Sequence, residues 1–297
     1  GYEVQGVPGA YLVARFFKFP CVSRFQGTVV PVRVSLFRLL VVYSEHFLAC
    51  KLPIDLVIMA DDGTHGDQVL SNLGVSPDRT VFWMNGVEKD RFRTLSETKD
   101  VRKMFDIPEA AYVLLTMCRL AGWKRIDRGI RAMPAILDRL PDTYYLVVGD
   151  GAMRSSWEAL AEELEVNHRV VFAGAVKREN LPDYVAETDI FLSLNDLSNV
   201  GNPLLEAMSA GKCVVAVDVG DTDKVVQDGV TGVLVKPENI DSLPDVLARL
   251  LEDKVKRQSL GTAAARYAES HFLTWPQRMA REIDTIESRF PQFDTSQ

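Results

Sequence analysis

Apolar runs alternate with stretches of helical periodicity along most of the chain from residue 112 onward. Six short apolar runs are typical of buried strands: 112–117, 144–148, 170–173, 190–194, 213–217 and 232–235. Between the first two, Ile126, Ile130, Met133, Leu137 and Leu140 share one helical face, with a kink expected at Pro134. The alternation predicts a doubly wound parallel α/β domain over residues 99–273.

The first 98 residues predict a second, smaller α/β domain. Helical segments are expected at 11–17 and 36–52, and strands at 21–24, 56–59 and 80–83. These are too few strands for a usual doubly wound sheet, and the sequence opens at Gly1 without an initiator methionine, so we expect a domain that lacks its first half. A last helix at 276–290, within residues 274–297, is expected to cross back to this domain.

The composition is that of a water-soluble globular protein long enough for two domains. Its 297 residues include 34 basic and 41 acidic ones, and the formal charge of -7 argues against nucleic acid as a partner. The four cysteines, Cys21, Cys50, Cys118 and Cys213, lie far apart without metal-binding spacing, which favours reduced thiols. No signal peptide or membrane span is visible, so we expect a cytoplasmic protein, with peripheral contact at the membrane face left open.

A glycine-bearing loop leads directly into an amphipathic helix at residues 199–208. Backbone N–H groups and the positive end of such a helix favour an anion, and Glu206 places a carboxylate one turn further in. Upstream, Arg119 and Lys124 supply two cations that suit a diphosphate leaving group. The combination predicts binding of a nucleotide-sugar and transfer of its sugar.

Several short motifs occur in one order along the chain. They are 116–120, Trp123-Lys124, 149–151, 171–174 and 201–208 with Gly211, preceded by 61–64 and by 85–87 with Phe92. In this order they resemble the retaining glycosyltransferases of family 4 (glycosyl transferases group 1), which have the GT-B fold. Each motif alone is weak, but the ordered set is specific, and the likeness covers about residues 21–278.

The resemblance implies a GT-B architecture of two Rossmann-like domains, with the donor held mainly on the second. Arg119 and Lys124 would grip the diphosphate and take the place of a metal, so no metal or cofactor is expected and the nucleotide-sugar is a co-substrate. Glu206 would accept hydrogen bonds from the ribose hydroxyls. The other donor-binding candidates are Gly174, Ala175, Val176, Ser198, Asn199, Val200, Gly201, Asn202 and Leu205. The alternatives are solvated surface cations and, for Glu206, a charge that merely favours the helix dipole.

The chain departs from the family pattern at several positions. Ser198 stands where members commonly carry a second glutamate, and Asn199 where a glycine is usual, so the sugar is not specified. On the acceptor side, Gly27 and Thr28 lie in a segment where members often place a histidine. That histidine is absent here, and His65 is the nearby candidate, with a purely structural role as its alternative.

Two further patterns have simple structural explanations, which we favour over functional ones. Asp221-Thr222-Asp223 has the spacing of a metal-binding motif from another glycosyltransferase fold, but a solvated loop or helix cap explains it. The basic residues between Arg15 and Arg38 fit a charged helical face, although contact with anionic lipid is the alternative.

The resemblance therefore implies a metal-independent retaining hexosyltransferase with an unknown acceptor, which is a glycan, a lipid-linked sugar or a small molecule. Two alternatives remain. One is a truncated or degenerate GT-B protein that binds nucleotide or a protein partner without catalysis. The other is a nucleotide-sugar epimerase of the same fold.

Overall fold

The computed structural model describes residues 1–93 and 100–291. The chain forms two compact units: Gly1–Gly86 together with the chain from Leu273 onward, and Val87–Phe272. The predicted boundary between residues 98 and 99 lies outside the described residues, and the second unit begins earlier, at Val87. The reason is Lys89, whose buried ammonium donates to the carbonyl oxygens of Glu269 (3.3 Å) and Phe272 (2.9 Å).

The helices of both units have the following bounds. In chain order they are α1 (Glu3–Phe17), α2 (Leu36–Val41), α3 (Ser44–Lys51), α4 (Gly66–Asn72), α5 (Lys89–Arg93), α6 (Val101–Met104), α7 (Ile126–Arg139), α8 (Arg154–Glu163), α9 (Leu181–Ala186), α10 (Asn202–Ser209), α11 (Leu243–Glu252), α12 (Lys254–His271) and α13 (Trp275–Arg289).

The first unit contains a three-stranded parallel sheet of β1 (Val22–Phe25), β2 (Leu56–Ala60) and β3 (Thr80–Trp83), in that order. All five residues of the central strand β2 are buried, as expected for a strand covered on both faces. The single helix predicted over residues 36–52 was wrong. Ser35 caps α2, the N–H groups of Val42 and Tyr43 both turn back to the carbonyl of Arg38, and α3 then begins separately.

Helix α13 belongs to this first unit. Its Arg278 side chain is 1% exposed, donates from Nε to the carbonyl of Met84 (3.2 Å) and pairs with Glu282 (2.8 Å). The guanidinium also lies 4.5 Å from the ring centroid of Trp83, at the end of β3. One buried cation thus ties the last helix to the sheet.

The second unit contains a six-stranded parallel sheet in the order β6-β5-β4-β7-β8-β9. Its strands are β4 (Tyr112–Met117), β5 (Thr143–Val148), β6 (Val170–Gly174), β7 (Ile190–Ser193), β8 (Cys213–Val217) and β9 (Val233–Val235). The six predicted strands are all present, with ends that differ by one residue at most. All residues of β7 and β8 are buried, which explains why these runs are apolar throughout except at Ser193.

Helix α7 covers this sheet with the predicted apolar face. Ile126, Ile130 and Met133 are at most 1% exposed, and Pro134 lies inside the helix. The sequence pattern did not single out α11 and α12. Small residues of α12, such as Ala264 and Ala268, are fully buried, so this helix packs closely while most of its surface stays polar and its amphipathic signal is weak.

The first unit exposes large apolar side chains on α1 and α2. Leu12 is 67% exposed, Phe16 80% and Phe37 74%, and the basic residues Arg15 and Arg38 lie on the same helices. In the described parts of the chain, no helix has both the length and the apolar character needed to cross a bilayer.

Candidate functional site

The strand order of the second unit reverses between β4 and β7. From β4 the chain continues to β5 and β6 on one side, whereas β7 leads to β8 and β9 on the other. The loops that leave the carboxyl ends of these two strands diverge, and ligands of open α/β sheets bind at such a point. The loop after β4 carries Arg119 and Lys124, and the loop after β7 carries residues 195–201. The topology therefore brings the predicted cations and the predicted glycine loop together.

Lys124 is in direct contact with the loop that follows β7. The Asn195 side-chain amide lies between the two polar groups of Lys124, 3.3 Å from its carbonyl oxygen and 3.0 Å from its Nζ. The Asp196 N–H donates to the carbonyl of Trp123 (2.9 Å), and Nζ lies 4.0 Å from the Trp123 ring centroid. Lys124 is thus held in place, whereas Arg119 is exposed just beyond β4.

Two arginines at the start of α7 fix the same loop. Arg125 pairs with both Asp127 and Asp196 at 3.0 Å. Arg128 pairs with Asp196 at 2.6 Å and donates to the Leu194 carbonyl at 2.6 Å. Sequence reasoning missed this network, because arginines and aspartates far apart in the chain give no local signal.

Asn199 holds the loop from inside. Its side chain accepts hydrogen bonds from the Ser193 hydroxyl (2.9 Å) and the Asn195 N–H (3.2 Å), and donates to the carbonyls of Asn195 (3.2 Å) and Val217 (2.9 Å). Asn199 is only 1% exposed. The side chain predicted to bind the donor is therefore committed to the protein, and contact with a ligand is left to the backbone. Neighbouring Ser198 has a left-handed backbone with a φ of 56°.

The start of α10 offers fewer amide donors than the sequence implies. Pro203 has no N–H, and the N–H groups of Leu204 and Leu205 donate to the carbonyl of Gly201. The side chains of Val200 and Leu205 are 3% and 0% exposed, so they pack in the core. Of the predicted loop contacts, Gly201 and Asn202 lie at the helix start itself.

Glu206 is a carboxylate buried one turn into α10. It is 4% exposed and forms an ion pair with Arg178. The two charged groups are 3.8 Å apart, which is too far for a hydrogen bond. Within the described residues, no donor makes a hydrogen bond to its oxygens. Burial raises the pKa of Glu206 to about 7, and the nearby Arg178 opposes this rise. Two hydroxyl donors from a ligand would satisfy this carboxylate.

The loop after β5 lies against the loop after β4. A Cβ atom at Gly149, whose φ is 133°, would overlap the carbonyl oxygen of Cys118. The Gly149 N–H donates to the carbonyl of Gly174 (2.8 Å), at the end of β6. Gly174 has a φ of 73°, and the exposed Ala175 and partly buried Val176 follow it. The predicted base-binding residues therefore lie at the same carboxyl edge of the sheet as Lys124.

The acceptor-side candidates lie in the first unit. The Thr28 N–H donates to the Thr64 hydroxyl (3.3 Å), which donates to Asp62 (2.6 Å). Gly27 approaches Asp62 so closely that a Cβ would overlap its carboxylate. His65 has a left-handed backbone and precedes α4. Gly27, Thr28 and His65 thus share the carboxyl ends of β1 and β2.

The first aspartate of the DxD-like motif is buried and paired with a lysine. Asp221 is 6% exposed and forms an ion pair with Lys224 at 2.8 Å. Across residues 1–93 and 100–291, no group of three or more His, Cys, Asp or Glu side chains is placed to hold a metal ion.

Residues 97–267 match the family model described as glycosyl transferases group 1. The chain belongs to this family. Among curated proteins, it is 29% identical over 212 residues to a GDP-mannose-dependent α-(1-6)-phosphatidylinositol monomannoside mannosyltransferase of Mycolicibacterium smegmatis. That match covers 69% of this chain and 55% of the relative. This group 1 glycosyltransferase chain spans about half the length of the curated relatives it matches.

Solved structures show the fold of the family. The Anabaena protein HepE in complex with UDP-glucose is 21% identical, with a TM-score of 0.81 over 96% of this chain and 78% of that one. Sucrose-phosphate synthase from Thermosynechococcus elongatus is 20% identical, with a TM-score of 0.79 over 99% and 73% of the two chains. The predicted GT-B fold class with Rossmann-like α/β units is confirmed.

Proposed function

We propose that this group 1 glycosyltransferase transfers a hexose from a nucleoside-diphosphate sugar to an acceptor hydroxyl, with retention of the anomeric configuration. The observation that carries the proposal is that Lys124 and Glu206 both follow strands at the same strand-order reversal. A held cation and a buried carboxylate without hydrogen-bond donors match a diphosphate and a ribose, respectively.

In the proposed reaction, the bond between the anomeric carbon and the diphosphate oxygen breaks, and a bond from the acceptor oxygen to that carbon forms on the same face. Arg119 and Lys124 offset the charge that develops on the departing diphosphate. The diphosphate oxygen takes the acceptor proton, so the products are a glycoside and the nucleoside diphosphate. In this reaction the protein supplies positive charge and holds donor and acceptor in position.

The rest of the donor is assigned by position. Glu206 accepts hydrogen bonds from both ribose hydroxyls. The backbone of Gly174, Ala175 and Val176 borders the base. The backbone from Ser198 to Asn202 faces the sugar and the phosphates. The mannosyltransferase of Mycolicibacterium smegmatis is GDP-mannose-dependent, whereas the HepE structure holds UDP-glucose, so experiment must identify the base and the sugar of this chain.

The first experiment is a binding and turnover panel on the 297-residue chain. UDP-, GDP- and ADP-sugars are added singly, and thermal unfolding and donor hydrolysis are measured. We expect one base to raise the unfolding temperature, because a ligand bound only to the folded state stabilises it. Absence of both stabilisation and hydrolysis with every donor would contradict the proposal.

The same panel separates the alternatives. Stabilisation by a nucleotide without hydrolysis or transfer to any acceptor would favour a non-catalytic nucleotide-binding protein, which the replacement of the usual glutamate by Ser198 makes a specific rival. An epimerised donor formed without an acceptor would favour the epimerase. Transfer with inversion would support the glycosyltransferase assignment but reject the retaining mechanism.

We also propose peripheral contact of the first unit with anionic lipid. The support is the exposed apolar surface of α1 and α2, represented by Phe16 and Phe37, with exposed Arg15, Lys18 and Arg38 beside it. Co-sedimentation with phosphatidylglycerol vesicles should exceed that with phosphatidylcholine vesicles and fall with salt. Equal sedimentation with both vesicle types, or none with either, would reject the contact.

A further inference from the structure

Arg178 links the buried Glu206 to a second acidic residue. Its Nη2 atom lies 3.8 Å from Oε1 of Glu206 and 3.4 Å from Oε1 of Glu88. Glu88 in turn pairs with Arg91 at 2.8 Å through its other oxygen. Two carboxylates and two guanidinium groups therefore alternate in one chain of charges, all within the second unit.

The members of this chain differ in burial. Glu206 is almost fully buried, whereas the Arg178 side chain is 50% exposed and that of Glu88 31% exposed. A buried carboxylate has lost most of its hydration, so it stays ionised only with a nearby positive charge. In the described part of the chain, Arg178, Glu88 and Arg91 are the charged groups that act on Glu206, and Arg178 is the cation in ion-pair contact with it.

We propose that Arg178 is a positioning residue for Glu206: its guanidinium supplies the charge that keeps the buried carboxylate ionised and ready to accept two ribose hydroxyls. This inference rests on the function proposed above and assigns a role to a residue outside the motifs of the sequence.

The separation of 3.8 Å is what makes the role one of charge. A guanidinium in hydrogen-bond contact would occupy the lone pairs that the hydroxyls need, whereas one at this distance attracts the carboxylate and leaves both oxygens open. An ionised carboxylate accepts from two hydroxyls. A protonated carboxyl group has one acceptor oxygen fewer to offer and must itself find an acceptor.

Glu88 acts on Glu206 with the opposite sign. Its negative charge favours the protonated form of Glu206, and its contact with Arg178 draws the guanidinium toward itself. Removal of the Arg178 charge and removal of the Glu88 charge should therefore move the titration of Glu206 in opposite directions. This opposition separates an electrostatic role from damage to the fold, which would weaken binding in both variants at every pH.

The experiment measures the affinity for the nucleoside diphosphate identified by the panel, from pH 5.5 to pH 9, by calorimetry. For Arg178→Gln we expect the pH midpoint of binding to rise by about one unit, so that affinity at pH 7 falls roughly fivefold and recovers at pH 9. Arg178→Lys should restore most of the wild-type profile. Glu88→Gln should lower the midpoint.

A matched control is Arg139→Gln. Arg139 is also partly exposed and also pairs with two carboxylates, Asp245 and Glu252, but it lies at the far end of α7. Its removal should leave the pH midpoint unchanged.

The outcomes distinguish the two proposals. If wild-type protein binds no nucleotide at any pH, the proposed function fails, and the role of Arg178 fails with it. If wild-type protein binds but Arg178→Gln lowers affinity equally at all pH values, or leaves it unchanged, only the role of Arg178 is overturned.

Discussion

The Asn195 side-chain amide lies within hydrogen-bond distance of both polar groups of Lys124, 3.0 Å from the ammonium and 3.3 Å from the carbonyl oxygen. A lysine side chain has many rotamers, and this contact restricts them in advance of any ligand. The relationship connects the loop after β7 to the cation after β4. It therefore links two motifs that lie far apart in the sequence.

Lys124→Ala should lower turnover by about 100-fold or more, because a charge that stabilises the leaving group is lost. The unfolding temperature should change little, since the side chain is only partly buried. Steady-state kinetics with the best donor and thermal unfolding measure the two effects. The control is Lys103→Ala, whose side chain is 87% exposed and pairs with Asp100. Turnover of Lys124→Ala equal to that of the control would remove Lys124 from the mechanism.

Asn195→Ala should lower turnover less than Lys124→Ala, by roughly three- to tenfold, because the cation remains but is no longer held in one position. In the Lys124→Ala background the same change should have almost no further effect on turnover. A double-mutant cycle of the kinetic constants checks this coupling. Independent, additive losses would show that Asn195 acts elsewhere.

Burial of Glu206 should make stability depend on pH in a definite direction. The pKa of this acid is about 7 in the folded protein and near 4.5 when unfolded, so the folded state binds the proton more tightly between these values. Its contribution to stability is therefore highest below pH 4.5 and falls as pH rises through 7, by roughly 3 kcal/mol in all.

Glu206→Gln removes this titration. The free energy of unfolding of the variant relative to wild type should rise between pH 5 and pH 8, while its affinity for nucleotide falls at all pH values. Urea unfolding at several pH values measures the first effect. A pH-independent difference in stability would contradict the buried, ionisable state of Glu206.

Gly149→Ala should be severely destabilising. The new Cβ would overlap the carbonyl oxygen of Cys118, and the φ of 133° is one that alanine rarely adopts, so we expect a loss of about 3 kcal/mol or more. Gly122→Ala is the matched control in the loop after β4, since its Cβ would meet no atom within 4 Å. Denaturant unfolding of both variants measures the difference, and equal stabilities would refute the close approach.

Asn199→Ala should destabilise the second unit by about 2 to 4 kcal/mol, because buried groups of Ser193, Asn195 and Val217 lose their partner. Asn239→Ala, at an exposed position, is the control. Hydrogen exchange should show faster exchange in residues 195–201 in the first variant alone. Unchanged exchange there would show that the loop is held by other contacts.

The strands of the second unit and the helix start at Gly201 followed from the sequence because they depend on local pattern. A buried strand such as β8 needs a continuous apolar run, and the helix start at Gly201 has a distinct local composition. The break between α2 and α3 was missed because the apolar pattern continues through Val42 and Tyr43.

Long-range partnerships were not accessible to sequence reasoning. The Asn199 side chain was expected to face a ligand, but its four hydrogen bonds join residues from Ser193 to Val217. Arg178 carried no motif at all, and its proximity to Glu206 comes from the packing of two elements. Burial and pairing of this kind depend on tertiary structure.

The hydrogen bond from Lys89 to the Phe272 carbonyl places the entrance and the exit of the second unit side by side. In topological terms, Val87–Phe272 is an insertion into the first unit. Its two ends are held close together by residues of the insertion itself. A gene fragment that encodes these residues alone should therefore yield an independently folding domain, suited to calorimetry and NMR.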